Sequence, residues 1–228
     1  MTQAPRSLDE QARLISALAQ MGGLTETLLL DAARYGFDEA GDSTANDVKT
    51  LAGFLSWAKP LRFLRDRLGP QGWVPGRHPD LETVISPDRT FQVACATGNP
   101  ATGTDRMPST HLDKGPLAGL AIAGNQQLSF PRSVHPQFGN SPVAGMETWY
   151  LLQYVDLDEE GRGEIRVELS LPKHFTGSRP GVSRPKRGYI NAWKPRLKLS
   201  PIQIGDEAEY RQDELEEEID VRVEPRGG

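Results

Sequence analysis

Cysteine is almost missing from this chain. One residue, Cys95, in 228 excludes an internal disulfide and a zinc site of the CxxC type. Histidine is sparse too. His78, His111, His135 and His174 stand alone, with no H-x3-5-H pair and no HExxH, so no metal site is expected. Long apolar runs are absent: nothing approaches the roughly 18 residues that a membrane helix needs. The opening stretch MTQAPRSLDEQ has no apolar segment of signal-peptide type, and neither end carries a lipidation motif. These absences predict a cytoplasmic chain with no membrane partner.

Catalytic signatures are missing as well. The glycine-rich stretches 98–103 and 115–119 lack the Gly-Lys-Ser/Thr of a phosphate loop, although a backbone-amide nest can form in the first. Asn140, Ser141 and Pro142 do not make a nucleophile elbow. Cys95 lies inside an apolar run, which predicts a buried, structural thiol. The expectation is a protein without a cofactor that acts by binding and not by catalysis.

What is present is ordinary in amount. Hydrophobic residues make up 37% and charged residues 25%, too polar for a membrane protein and too apolar for a disordered one. Glycine and proline, at 23 and 18 residues, are over-represented and point to long loops. A chain of this length can bury roughly 70–75% of its unfolded surface, enough to be stable without staples.

Three regions follow along the chain. Residues 1–70 read as a helical region. Ser7 and Glu10 have the spacing of a capping box, Leu14, Ile15, Leu18 and Met21 follow at helical intervals, and Gly22 and Gly23 end the run. A second helix is expected from Thr25 to Tyr35 with Gly36 as its stop. A third is expected over 42–58, broken by Pro60, and a short fourth carries Leu61, Leu64 and Leu68. Residues 71–205 read as an antiparallel α+β domain. It has β-prone runs at 82–86 and 90–95, a loop-rich centre over 98–147 holding one helix at 116–127, and strands at 148–155 and 164–171. Further strands are expected at 188–193 and 196–204. In 164–171, Ile165, Val167, Leu169 and Leu171 alternate with Glu164, Arg166, Glu168 and Ser170, the pattern of a half-buried strand. Residues 206–228 form an acidic tail. The predicted fold class is therefore α+β: an N-terminal helical region, an antiparallel sheet with long Gly/Pro-rich loops, and that tail.

Net charge is −5, yet the signs are segregated. Residues 173–198 hold Lys173, Arg179, Arg184, Lys186, Arg187, Lys194, Arg196 and Lys198 and no acid, whereas residues 206–220 hold nine acids and one arginine. Lysine and arginine neutralise phosphates and release counterions, so the basic segment is a candidate nucleic-acid-binding face. Phe175, Tyr189 and Trp193 are interleaved and offer stacking surfaces. Arg62 and Arg65, with Arg67, add a second basic face on the last helix. The function expected on this basis is an accessory or binding subunit of a nucleic-acid-handling assembly, for DNA or RNA. A protein partner is expected to meet the helical region or the acidic tail. The tail is also placed to compete for the basic segment, since short tethers give high effective concentrations.

Two alternatives belong to other classes. Asp156 and Glu164, with Glu168, resemble the paired carboxylates of a Mg²⁺-dependent nuclease, but Arg166 stands where a water-orienting lysine is usual. A plain protein–protein adaptor, with charges that only keep it soluble, needs no nucleic-acid contact at all.

Overall fold

A computed structural model describes residues 6–78, 80–128, 146–177 and 187–205. Three helices come first: α1 (Leu8–Ala19), α2 (Glu26–Gly41) and α3 (Leu51–Leu68). The capping box forms as its spacing predicts. Glu10 N donates to Ser7 Oγ and Ser7 N donates to Glu10 Oε2 at 2.9 Å, satisfying amides that the first turn leaves unpaired. Thr25 caps α2 by accepting from Leu28 N.

The third helix begins at Leu51 and not at 42, and two further boundaries differ from the sequence expectation for one shared reason. Gly36 does not stop α2, and Pro60 does not break α3. A Cβ on Gly36 would lie 2.4 Å from Pro60 Cγ, so the glycine is the notch in which the proline ring sits as the two helices cross. Proline in a helix frees the carbonyl four residues earlier, here Ser56 O. The Gln153 amide, arriving from the sheet, donates to that carbonyl. With its orphan acceptor satisfied, α3 runs through, and the expected third and fourth helices are one.

The sheet contains β1 (Val74–His78), β2 (Leu81–Ile85), β3 (Phe91–Thr97), β4 (Glu147–Leu157), β5 (Gly163–Phe175), β6 (Ile190–Lys198) and β7 (Ile202–Ile204). Its order is β1-β2-β3-β4-β5-β6, with β7 beside β5. Every pairing is antiparallel except β3 with β4, which run parallel from Phe91↔Glu147 to Thr97↔Gln153. Parallel neighbours need a crossover, and α4 (Pro116–Leu128) supplies it. The fold is α+β with a mostly antiparallel sheet, as the sequence predicts; the parallel pair is the refinement. β1 escapes sequence reading because Pro75 and Gly76 look like breakers. An edge strand tolerates proline, because its outward amide has no ladder partner to lose.

Helices lie on both faces. Leu14, Leu18, Leu29, Leu64 and Leu68 pack on the face that carries Val93, Leu151, Ile165, Val167 and Leu169. On the other face Ala121 and Ile122 of α4 pack with Ala94, Ala96, Tyr150, Leu152 and Trp193. The helical region thus shares a core with the sheet. Asn125 fastens α4 by reading one residue of β4 twice: its amide donates to Thr148 O, and its carbonyl accepts from Thr148 N at 2.7 Å.

The alternation in β5 holds only in part. Ile165, Val167 and Leu169 are 0% exposed, as expected. The opposite side is not solvated: Arg166 is 8% exposed, and Glu168 and Ser170 are 0%. The segment over 98–115 covers it, and the polar side chains hold that cover down. Glu168 accepts from Arg196 Nη2 at 2.5 Å and Nε at 3.1 Å, from Gly103 N at 2.9 Å and from Ser170 Oγ at 2.8 Å. Arg196 also donates to the carbonyls of Thr104 and Arg106. A buried charge is tolerated when paired and fully hydrogen-bonded, which is the case here.

Candidate functional site

The local irregularity that makes a site is the parting of β2 from β3. These strands pair only at Val84↔Val93 and Ile85↔Gln92. Continued, that register would join Thr83 to Ala94 and Glu82 to Cys95, but no pairing is present there. Arg65 takes the place of the missing ladder. Its guanidinium donates to Thr83 O at 2.8 and 3.0 Å and to Gly76 O at 3.0 Å, and it pairs with Glu82 at 2.6 Å.

A crevice of about 340 Å³ occupies the gap. Ligand pockets span roughly 300–1,000 Å³, so this one suits a single small group. Trp57 of α3 stands on the helical side. Ala94, Cys95, Thr97 and Tyr150 come from the sheet, Asp80 and Glu82 from the start of β2, and Leu112, Asp113, Lys114 and Arg187 from the loops. Lys114 and Gly188 form a two-way backbone bridge, Lys114 N to Gly188 O at 2.6 Å and Gly188 N to Lys114 O at 3.1 Å. That bridge fixes Arg187 beside the crevice.

Most acids in the crevice already have partners. Asp113 accepts both bonds of the Arg187 fork, at 2.8 and 3.0 Å, and this pairing, more than anything else, holds its carboxyl below the usual range. Asp80 accepts from Leu117 N in the first turn of α4. A Cβ on Gly115 would fall 2.1 Å from Asp80 Oδ2, so glycine is needed for that approach. Two groups are left over. The Tyr150 hydroxyl is buried without a partner among the described residues, and burial raises its pKa above the ordinary value. The Lys114 ammonium makes no hydrogen bond or ion pair with the described residues, and desolvation lowers its pKa to about 8. Cys95 also lines the crevice. Burial pushes its thiol up to about 12, so it is no thiolate nucleophile at neutral pH.

The residues singled out in the sequence fall into three groups. Arg179, Arg184 and Lys186 lie outside the described residues, as does the acidic tail. Arg65 and Arg196 serve the fold as above, and Lys198 makes a surface pair with the exposed Asp105 at 2.6 Å. Lys194 is exposed on β6, Lys173 is half-buried, and Arg62 is exposed in an i,i+4 pair with Asp66. Trp193 is buried against Tyr150, with ring centroids 5.8 Å apart, whereas Tyr189 is 47% exposed.

Asp156 and Glu164 do face each other across β4 and β5, and Arg166 bridges them at 2.7 and 3.6 Å. Both oxygens of Glu168 are taken by its own cage. Among the described residues, no group of three or more His, Cys, Asp and Glu side chains is placed to hold a metal ion, and no helix is long and apolar enough to cross a membrane.

Sequence reasoning missed the crevice itself. Lys114 and Asp80 are far apart in the chain, and only the splay of β2 brings them to one place. No protein-family model, curated protein or solved structure matches the chain, so its function is argued from this geometry alone.

Proposed function

We propose that this protein is a nucleic-acid-binding subunit that meets its ligand at the β2–β3 crevice. The observation that carries the reading is the backbone bridge between Lys114 and Gly188. Within the basic segment, Arg179, Arg184 and Lys186 shortly precede Arg187 in the sequence, and the bridge anchors Arg187 at the crevice mouth. An exposed, solvent-screened ion pair such as Arg187–Asp113 contributes little, so a phosphate can displace the carboxylate at little cost. Lys114 adds a second cation at the crevice, outside hydrogen-bond and ion-pair distance of the described carboxylates although Asp113 favours its charge. Phosphate neutralisation by such groups makes affinity fall steeply with salt.

Fluorescence anisotropy with a labelled oligonucleotide tests this. Affinity should drop at least tenfold between about 50 and 200 mM salt. Arg187→Gln should weaken binding and reduce the slope of log K against log salt by about one. Absence of binding at the lower salt, or affinity indifferent to salt, rejects the reading.

A further inference from the structure

We infer that the crevice takes one unpaired nucleobase, stacked on Trp57, with the phosphates remaining outside it; this rests on the nucleic-acid reading above. The charge inside the crevice argues for a base and against a phosphate. Asp80, Glu82 and Asp113 line it together with Lys114 and Arg187, while Arg65 is spent on Glu82. So close a balance of charge, with carboxylates on the wall, is a poor seat for an anion. It suits a neutral ring whose edge carries both N–H donors and acceptors.

The unspent groups match such an edge. The Tyr150 hydroxyl donates or accepts and the Lys114 ammonium donates; beside them the Asp80 and Glu82 carboxylates, already holding Leu117 N and Arg65, keep further lone pairs as acceptors. A buried polar atom without a partner costs free energy, and a ligand that supplies one removes that cost.

The walls match the face of a ring. Trp57 meets Phe54 edge-on, with centroids 5.2 Å apart at 78°, and Phe54 is 52% exposed. Leu112, across the crevice, is 56% exposed. An aromatic pair at the surface beside arginine and lysine is the arrangement with which single-stranded nucleic acid is held: stacking for the base, cations for the backbone. A base inside a duplex cannot reach the crevice, because both its faces are already stacked.

Trp57 also provides the readout. The other three tryptophans, Trp73, Trp149 and Trp193, are 3%, 8% and 2% exposed, so Trp57 is the one tryptophan on which an added base can stack. The experiment titrates the full chain with a fluorescein-labelled 12-mer as single strand and as duplex, in deoxyribose and ribose arms. Anisotropy and tryptophan emission are recorded together at about 50 mM salt. The single strand should bind at least tenfold tighter than the duplex and quench tryptophan emission, in one sugar series or both. Trp57→Leu should abolish the quench and lower single-strand affinity by roughly 5- to 150-fold, the range that corresponds to 1–3 kcal/mol of stacking. Its duplex affinity should not change. Trp57→Phe, which keeps an aromatic face, should retain most of the affinity while losing the signal, and it guards against a variant that merely misfolds. Equal affinity for duplex and single strand without quenching overturns the inference and leaves the nucleic-acid reading standing. Failure of every arm to bind overturns both.

Discussion

Two polar regions lie side by side on the same face of the sheet, and they are built on opposite terms. Tyr150 pairs with Ser170, which is two residues from Glu168, so the crevice hydroxyl and the buried carboxylate belong to one surface of neighbouring strands. Around Glu168 every oxygen is used: two arginine nitrogens, one backbone amide and one hydroxyl converge on it. At the crevice the Tyr150 hydroxyl has no partner among the described residues, and Lys114 sits partly desolvated beside it. Buried polar groups in folded proteins are nearly always satisfied, and the Glu168 carboxylate is; the Tyr150 hydroxyl is not, although Thr102 Oγ1 and Arg166 Nε, close to the Glu168 cage, also lack a hydrogen-bond partner among the described residues. The difference separates a carboxylate whose every oxygen is used from a crevice with an unused hydroxyl and a partly desolvated amine. Arg196, which the sequence places in a binding face, is tied into the Glu168 cage; Lys198, whose partner Asp105 is exposed, and Arg187, whose pair with Asp113 is exposed, are not held in that way.

Breaking the satisfied region should have the largest effect. Glu168→Ala leaves Arg196 as an uncompensated, largely covered cation and Gly103 N without its acceptor. The expected loss is about 3–5 kcal/mol in urea unfolding, the usual result of removing one member of a buried ion pair. The double variant Glu168→Met with Arg196→Met should recover much of that loss, because no lone charge then remains. If Glu168→Ala proves as stable as the wild type, the cage is not the structural device described here.

The unsatisfied region should respond with the opposite sign. Lys114→Met removes a charge that burial disfavours, so stability at pH 7 should hold or rise while oligonucleotide affinity falls. The pH dependence follows from linkage. The amine titrates near 8 in the folded chain against an ordinary 10.5, so the unfolded state binds the proton more tightly. Wild-type stability relative to Lys114→Met should therefore rise as pH climbs from 8 to 10.5 and be flat below that window. Comparing the two proteins across this range cancels the other titrating groups. A difference that stays flat from pH 8 to 10.5 means that Lys114 is better solvated than its surroundings imply.

How much of this is legible in the sequence depends on the range of the contacts involved. Local signals read well: the Ser7–Glu10 box, the Thr25 cap, the proline-led helix at Pro116 and the alternation that buries Ile165, Val167 and Leu169. Signals that depend on a partner far along the chain do not. Gly36 and Pro60 look like stops until each is seen to fit the other, and Ser56 O needs Gln153, which no periodicity connects to it. The polar side of β5 looks like a solvated face because a sequence pattern cannot show that residues 98–115 fold over it. The crevice is the extreme case. It arises from a strand pairing that fails to continue, and nothing in a single strand announces a failed pairing.

The smallest effect is expected where satisfaction and exposure meet. Glu26 is the acceptor of a second cage: Arg6 Nη2 donates at 2.6 Å, Ser200 N at 2.7 Å and Gln11 Nε2 at 3.1 Å, tying the start of α2 to the end of the sheet. Burial on its own would raise this carboxyl, but the bonds from Arg6, Ser200 and Gln11 outweigh it and hold the pKa near 2 against an ordinary 4.5. A depressed acid contributes stability that is fully present above its unfolded pKa and is lost as pH falls through the folded one. Glu26→Gln should therefore be destabilised at pH 7, by about 1 kcal/mol once water screening of this partly open site is allowed for. The gap to wild type should shrink progressively from pH 4.5 toward pH 2. Denaturant midpoints of the two proteins at pH 7, 4 and 2.5 make the measurement. A gap as large at pH 2.5 as at pH 7 would show that shape, and not charge, holds this corner. The contrast with Glu168, sealed under its loop, would then have to be explained by packing alone.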